Sequence, residues 1–185
     1  MSGRTHAIVP AACTALLFNA DPLLTLTAAI AGLLPDLDEP WSVIGQRFWI
    51  LAWWMKYLFG HRTISHSLLM VVVSGVLGMV LVTSWAVTVA VMIGLGSHVI
   101  LDAMSGGVQL WWPSKRRWVL GRCPVYGLMD RCLLLGGIVV YLGTFMVRLE
   151  TEIAPGTNLI GSGFRSDTRE VLEQVEHHLP CLAGV

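Results

Sequence analysis

Residues 66–102 read HSLLMVVVSGVLGMVLVTSWAVTVAVMIGLGSHVILD, and the fold turns on this stretch. Leu68 to Val82 and Trp85 to about Leu101 are two apolar runs parted only by Thr83-Ser84. Apolar runs approaching about 20 residues suit membrane-crossing helices, and so short a junction makes these two an antiparallel hairpin. The hairpin brings the start of the first helix beside the end of the second, so His66 and His98 are expected to be near neighbours. His98 and Asp102 are four residues apart, on one helix face about 5–6 Å from each other. That spacing suits two ligands of one metal or of two neighbouring metals. It equally suits a His–Asp hydrogen bond tying two helices together.

The rest of the chain agrees with a lipid solvent. Of 185 residues, 55% are hydrophobic and only 13% charged, against about 25% charged in soluble domains. A small soluble core cannot hide that surplus. Ala7 to Leu34 is apolar but broken by Asp21-Pro22, which predicts two short helices joined by a tight turn. With no cleavage pattern before the break, the first of them reads as a retained helix rather than a signal peptide. Phe48 to Phe59 (FWILAWWMKYLF) has the Trp and Tyr of an interfacial helix. Cys132 to Val147 is the last span, and Gly136, Gly137 and Gly143 would allow close helix approach. The fold class expected is all-α, a polytopic membrane helical bundle of about five membrane-embedded helices plus an interfacial one. Residues 1–149 form the membrane-embedded domain, and 150–185 a polar tail, Gly-rich over 156–163 and helical from Ser166 to His178.

Net formal charge is zero, so no basic field points to nucleic acid. Cys13, Cys123, Cys132 and Cys181 include no C-x-x-C pair and read as reduced or buried thiols. Lys115, Arg116, Arg117, Arg122 and Arg131 crowd the loop between Asp102 and Cys132, which the positive-inside rule makes cytoplasmic. Counting back through the hairpins puts the N-terminus, Pro35-Asp36 and 60–67 on that side too. The same loop carries Gly106-Gly107-Val108-Gln109-Leu110-Trp111-Trp112-Pro113 ahead of its cations. It reads as an interfacial loop dipping under the site, with the cations against lipid headgroups.

Four polar islands sit at the ends of apolar segments on that face: Thr5-His6, Pro35-Asp36-Leu37-Asp38, His61-Arg62-Thr63-Ile64-Ser65-His66-Ser67 and Ser97-His98-Val99-Ile100-Leu101-Asp102. Ionisable groups at membrane depth are costly, and those that persist are paired or functional. Alone, each island has an ordinary reading: solvated loop carboxylates at Asp36 and Asp38, a helix-flanking cation at Arg62, a satisfied polar His6. Together, His6, Asp36, Asp38, His61, His66, His98 and Asp102 make a candidate set of metal ligands. Mixed imidazole and carboxylate donors suit a divalent ion, zinc ahead of manganese or iron. Such an ion would bring the pKa of water to about 7 for attack on an ester. Asp38 is then a further ligand or the general base, and Arg62 holds an anionic group such as phosphate. Asp130 joins the site or pairs with Arg131.

These four islands, in this order and with Leu33-Leu34 before Pro35 and Leu68 after Ser67, resemble the YdjM-type membrane-bound metal-dependent hydrolases, also labelled LexA-binding, inner-membrane-associated hydrolases. The resemblance runs from the N-terminus to about Asp130 and leaves the tail after Arg148 uncovered. Ser65 stands where the family often has Thr, and Trp112-Pro113-Ser114 where a Pro-Phe pair is usual. Neither change touches a candidate ligand. The resemblance implies an inner (plasma) membrane enzyme. The LexA association is not carried over, because no residue here can be assigned to it.

The reading favoured at this point is a metal-dependent hydrolase of a phosphoester in a lipid or lipid-linked substrate, its partners the lipid bilayer and that substrate. A cation- or proton-coupled transport protein is the rival, expected to carry its ligands near mid-membrane on broken helices. A third reading is a scaffold whose polar cluster only fixes helix packing.

Overall fold

A computed structural model describes residues 1–42, 44–59, 63–82 and 84–178, with side chains placed up to 153 except at Phe59. The chain divides into two compact units, 1–145 and 146–185. Among the described residues there are six α-helices and no strand: α1 (Gly3–Leu17), α2 (Pro22–Ala31), α3 (Trp49–Phe59), α4 (Leu68–Leu81), α5 (Trp85–Ser105) and α6 (Leu128–His178). Two 3-10 turns, Leu34–Asp38 and Ile64–His66, carry the polar islands that precede α3 and α4.

The break between α1 and α2 falls where the sequence predicts it. Asn19 and Ala20 take positive φ, the Asp21 side chain accepts from the Leu24 amide, and Pro22 opens α2. A helix can end and restart there because Asp21 caps the new N-terminus and Pro22 has no amide hydrogen to satisfy. Ser2 and Ser67 cap α1 and α4 in the same way.

Helix α5 is the hub, packed against α1, α2 and α4. Its apolar contacts are Leu95, Val99 and Ala103 with Val71 of α4 on one side, and Ala90 with Leu24 and Ala28 of α2 on another. Small residues set the approach. A Cβ on Gly94 would lie 2.6 Å from the Ala28 carbonyl oxygen and 2.6 Å from Ala31 Cβ. Without a side chain at Gly94, α5 comes against the backbone of α2, as small-residue contacts allow between helices in lipid.

Among the described residues, two helices are long and apolar enough to cross a membrane: α5, with 21 residues, and the 26-residue Leu128–Ile153 part of α6. Helix α4 has 14 residues, or about 21 Å of rise, short of a hydrocarbon core of about 30 Å. The Asp21-Pro22 break keeps α1 and α2 at 15 and 10 residues, likewise short of that thickness. The expected count of about five embedded helices is therefore met in length and hydropathy by two. Leucines and valines exposed along α4 and α6, such as Leu77, Val80, Leu135 and Val139, give these helices the outward apolar surface of a chain solvated by lipid. In the tail, the Gly-rich segment does not form a separate loop, because α6 continues through it to His178. Glycine lowers helix stability by about 1 kcal/mol per residue without compelling an end.

If Gly94 sets the approach, Gly94→Ala destabilises by about 1–3 kcal/mol through overpacking. Gly96→Ala, with nothing within 4 Å of the added Cβ, is neutral or mildly stabilising. Thermal unfolding of the two variants in detergent separates them, and equal melting temperatures would contradict the packing argument.

Candidate metal centre

The antiparallel α4/α5 pair does what its short junction implies. His66, ending the turn before α4, and His98, near the end of α5, meet with their Nε2 atoms 3.1 Å apart. Both rings are fully buried. Their other nitrogens are committed elsewhere. His98 Nδ1 lies 2.7 Å from the Gly32 carbonyl oxygen at the end of α2, an acceptor only, so Nδ1 carries the hydrogen. His66 Nδ1 lies 3.0 Å from Ser65 Oγ and 3.5 Å from Asp38 Oδ2. Ser65 Oγ in turn donates to Asp38 at 2.5 Å, which leaves it free to accept from His66 Nδ1. Both Nε2 lone pairs therefore point into the same space.

Carboxylates close around that space. Asp102 Oδ2 is 3.4 Å from His66 Nε2 and 3.8 Å from His98 Nε2. Asp36 Oδ1 is 3.7 Å from His98 Nε2. His6 stacks on His98 with ring centroids 4.0 Å apart and sets its Nε2 3.3 Å from Asp102 Oδ1. Ligands about 2.1 Å from a metal lie about 3.4 Å from one another in a tetrahedral site, and the separations here fall around that value. Two donor groups could hold an ion: His6, His98 and Asp102, and Asp36, His66 and His98. One further atom asks for a partner. His6 Nδ1 is buried and makes no hydrogen bond among the described residues. The residues present fit a divalent cation in donor type, spacing and burial.

Charge supports the same point. With the hydrogen of each ring on Nδ1, two bare Nε2 atoms 3.1 Å apart call for a positive charge between them, a proton or a cation. Burial disfavours a charged His66, but hydrogen bonds to Asp102 and Asp38 outweigh it and push its pKa up to about 9. Burial, opposed by the imidazoles of His6 and His66 and reinforced by Asp102 and Asp38, holds the Asp36 carboxyl above the ordinary carboxylate range. Among the described donors, Asp36 alone is partly open, at 22% exposure.

Of the residues singled out in the sequence, His6, Asp36, His66, His98 and Asp102 come together. Asp38 stands behind His66, on the Nδ1 side. His61 and Arg62 lie outside the described residues. The sequence reading missed the Gly32 carbonyl, which no side-chain pattern signals, and the Ser65 hydroxyl, whose only signal is its place beside His66. Asp130 neither joins the donors nor needs Arg131 to be satisfied. Its buried carboxylate accepts from Thr5 Oγ1 at 2.7 Å, the Ser2 amide at 3.1 Å and the Tyr126 amide at 3.2 Å. This clamp fixes the first turn of α1, and with it His6, to the start of α6.

The site lies at the end of α5 to which the cationic loop is tied. Leu120 and Cys123 amides cap the carbonyls of Ala103 and Met104, and the Leu68 amide bonds the Leu110 carbonyl. The comparison with known proteins adds the family to this geometry. The model of the family described as YdjM inner membrane protein matches residues 1–157. The chain belongs to this family. It is 34% identical over 148 residues to the uncharacterized protein YvsG of Bacillus subtilis (strain 168), covering 76% of this chain and 91% of that protein. It is 31% identical over 139 residues to the inner membrane protein YdjM of Escherichia coli (strain K12), covering 65% of this chain and 69% of that one. The protein of the same name from Shigella flexneri matches to the same extent. No solved structure matches. The family resemblance carried by the four islands is thus borne out, and membrane association comes with it.

The Asp130 clamp predicts a coupled pair. Asp130→Ala strands buried donors and costs about 1–3 kcal/mol, and Thr5→Val costs less. The double variant should lose clearly less than the sum, by about 0.5 kcal/mol or more, in thermal unfolding of the detergent-solubilised chain. Strict additivity would mean that the two residues do not act together.

Proposed function

We propose that this YdjM-family protein is a membrane-bound metal-dependent hydrolase acting on a phosphoester in a lipid or lipid-linked substrate. The observation that carries this reading is the convergence of the His66 and His98 Nε2 atoms, each fixed from behind, on the carboxylates of Asp102 and Asp36. His6, Asp36, His66, His98 and Asp102 would hold a divalent ion, zinc ahead of manganese or iron, with His61 as a further ligand. Such an ion supplies Lewis-acid polarisation of a phosphoryl oxygen and an acidified water.

The chain's own residues orient and exclude. The Gly32 carbonyl and the Asp38–Ser65 pair hold two imidazoles in the tautomer whose Nε2 bears the lone pair, as outer-shell partners of metal-binding histidines do. Asp38, engaged on that side, is better placed to position His66 than to act as ligand or base. The partly open Asp36 marks the side from which substrate and water approach, and catalytic sites need such an open position. Arg62 would hold the phosphate. The ligands sit in the first turns of α1, at the end of α5 and in the short turns before α3 and α4, which favours a site at one membrane face over a transport path through mid-membrane. By the positive-inside rule that face is cytoplasmic, with α1, α2 and α4 as further membrane-embedded helices of a multi-pass inner-membrane protein.

Elemental analysis of protein purified from metal-supplemented medium should find at least one equivalent of a divalent transition metal. His98→Ala should lose it along with hydrolysis of phosphoester substrates. Asp38→Asn should keep the fold and lower metal affinity by about 10–100-fold. A metal-free wild type, or a fully active His98→Ala, would falsify the reading. A scaffold would show lost stability in these variants with no metal to lose.

A further inference from the structure

The loop that caps α5 builds a second feature beside the centre. Its Leu110, Trp111 and Trp112 and the first turns of α4, at Leu68, Leu69 and Val72, line an apolar groove of about 200 Å³. The groove is tied in place by the Leu68 amide bonded to the Leu110 carbonyl at 3.0 Å. The loop is braced rather than loose. Val108 and Trp118 pair as an antiparallel bridge, and the Ser114 amide bonds the Trp111 carbonyl. Leu68 follows His66 by two residues, so the groove begins within about 7 Å of that histidine along the chain.

Past the groove wall, after Pro113 and Ser114, come Lys115, Arg116 and Arg117, all exposed. None of the three has a carboxylate partner among the described residues. Arg116 lies over the Trp118 ring, 5.2 Å from its centroid, which holds its guanidinium against the loop. Val119 and Leu120 beyond them are exposed at 52% and 70%. An apolar trough, tryptophans and three uncompensated cations in succession have the order of an amphiphile with an acidic head: chain, interface, headgroup. Nucleic acid would leave the trough without a use.

We propose that this groove and its cationic edge form a binding site for a single anionic membrane lipid, the acyl chain against Leu68, Leu69, Val72 and Trp112 and the phosphate against Lys115, Arg116 and Arg117. The lipid then lies beside the turn that carries His66, two residues before Leu68. As a statement about substrate class this rests on the hydrolase reading above. As a binding site it stands without it.

The test is native mass spectrometry of the full chain in neutral detergent, titrated in turn with phosphatidylglycerol and phosphatidylcholine of the same acyl chains. The wild type should bind phosphatidylglycerol more tightly. In Lys115→Ala/Arg116→Ala/Arg117→Ala that affinity should fall by about 100-fold, roughly fivefold per cation, with phosphatidylcholine unchanged. Val72→Trp, which fills the groove, and Leu69→Ala/Val72→Ala, which removes its wall, should each weaken both lipids. His98→Ala should bind both as the wild type does, so loss of the metal centre and loss of the lipid site are told apart. The proposal is overturned by a triple variant that keeps its preference, or by groove variants that bind both lipids normally. Displacement of phosphatidylglycerol by equimolar inorganic phosphate or by a DNA duplex would overturn it too, since either would leave the groove no part.

Discussion

Two imidazole nitrogens held 3.1 Å apart, with no freedom to turn away, are the constraint from which the rest of this protein follows. His98 is fixed by a backbone carbonyl at the end of α2, His66 by a serine and a carboxylate at its back. Each ring presents a lone pair to the other, and lone pairs at that distance repel unless a positive charge lies between. A proton on His66 meets the need, and so does a metal ion, so the two compete for one place. Asp36 and Asp102 face it, Asp38 stands behind His66, and the Met1 ammonium lies 3.4 Å from Asp102 Oδ1. A divalent cation there would offset more carboxylate charge than a single proton does.

Packing makes this geometry affordable only because the helices come unusually close. Gly32 supplies the carbonyl for His98 and sits where a Cβ would meet the His6 carbonyl and Pro10. Gly94 lets α5 press on the end of α2 from the other side. A side chain at Gly94 would push α5 off the end of α2, and one at Gly32 would push that end off α1; either would disturb the His98 hydrogen bond. Asp130 completes the enclosure by holding the start of α1, so that His6 stacks on His98 instead of fraying with the terminus.

Much of this was legible in the sequence. Apolar periodicity gave no help, since helices in lipid need not be amphipathic, but the two-residue junction at Thr83-Ser84 dictated the His66–His98 encounter. The i, i+4 spacing similarly placed Asp102 beside His98. Asp21-Pro22 marked the α1/α2 turn through the cap chemistry both residues favour. What remained hidden depended on backbone atoms and on depth. The Gly32 carbonyl has no side-chain signature. Asp36 and Asp38 look equivalent as an Asp-x-Asp pair in an extended segment. The 3-10 turn over Leu34–Asp38 instead sends one carboxylate to the centre and the other behind His66. The continuity of α6 through its glycines was hidden for a similar reason, because glycine weakens a helix without dictating where it stops.

The short helices acquire a purpose in this arrangement. Had α2 run for a full span of about 20 residues, its C-terminal carbonyl would end well away from the level at which His98 lies on α5. With 10 residues, it ends where Gly32 can bond His98, and the chain turns at once into the 3-10 segment that delivers Asp36 and Asp38. The cost is a helix with little lipid-spanning length of its own, sustained by its contacts with α1 and α5. The cationic loop answers the same geometry from outside. By bonding the last carbonyls of α5 and the first amide of α4, it ties its tryptophans and cations to the ends of the helices that carry Asp102 and follow His66. A surface suited to lipid headgroups and a buried donor cluster are therefore joined through one set of backbone hydrogen bonds, and a displacement of either must be felt by the other.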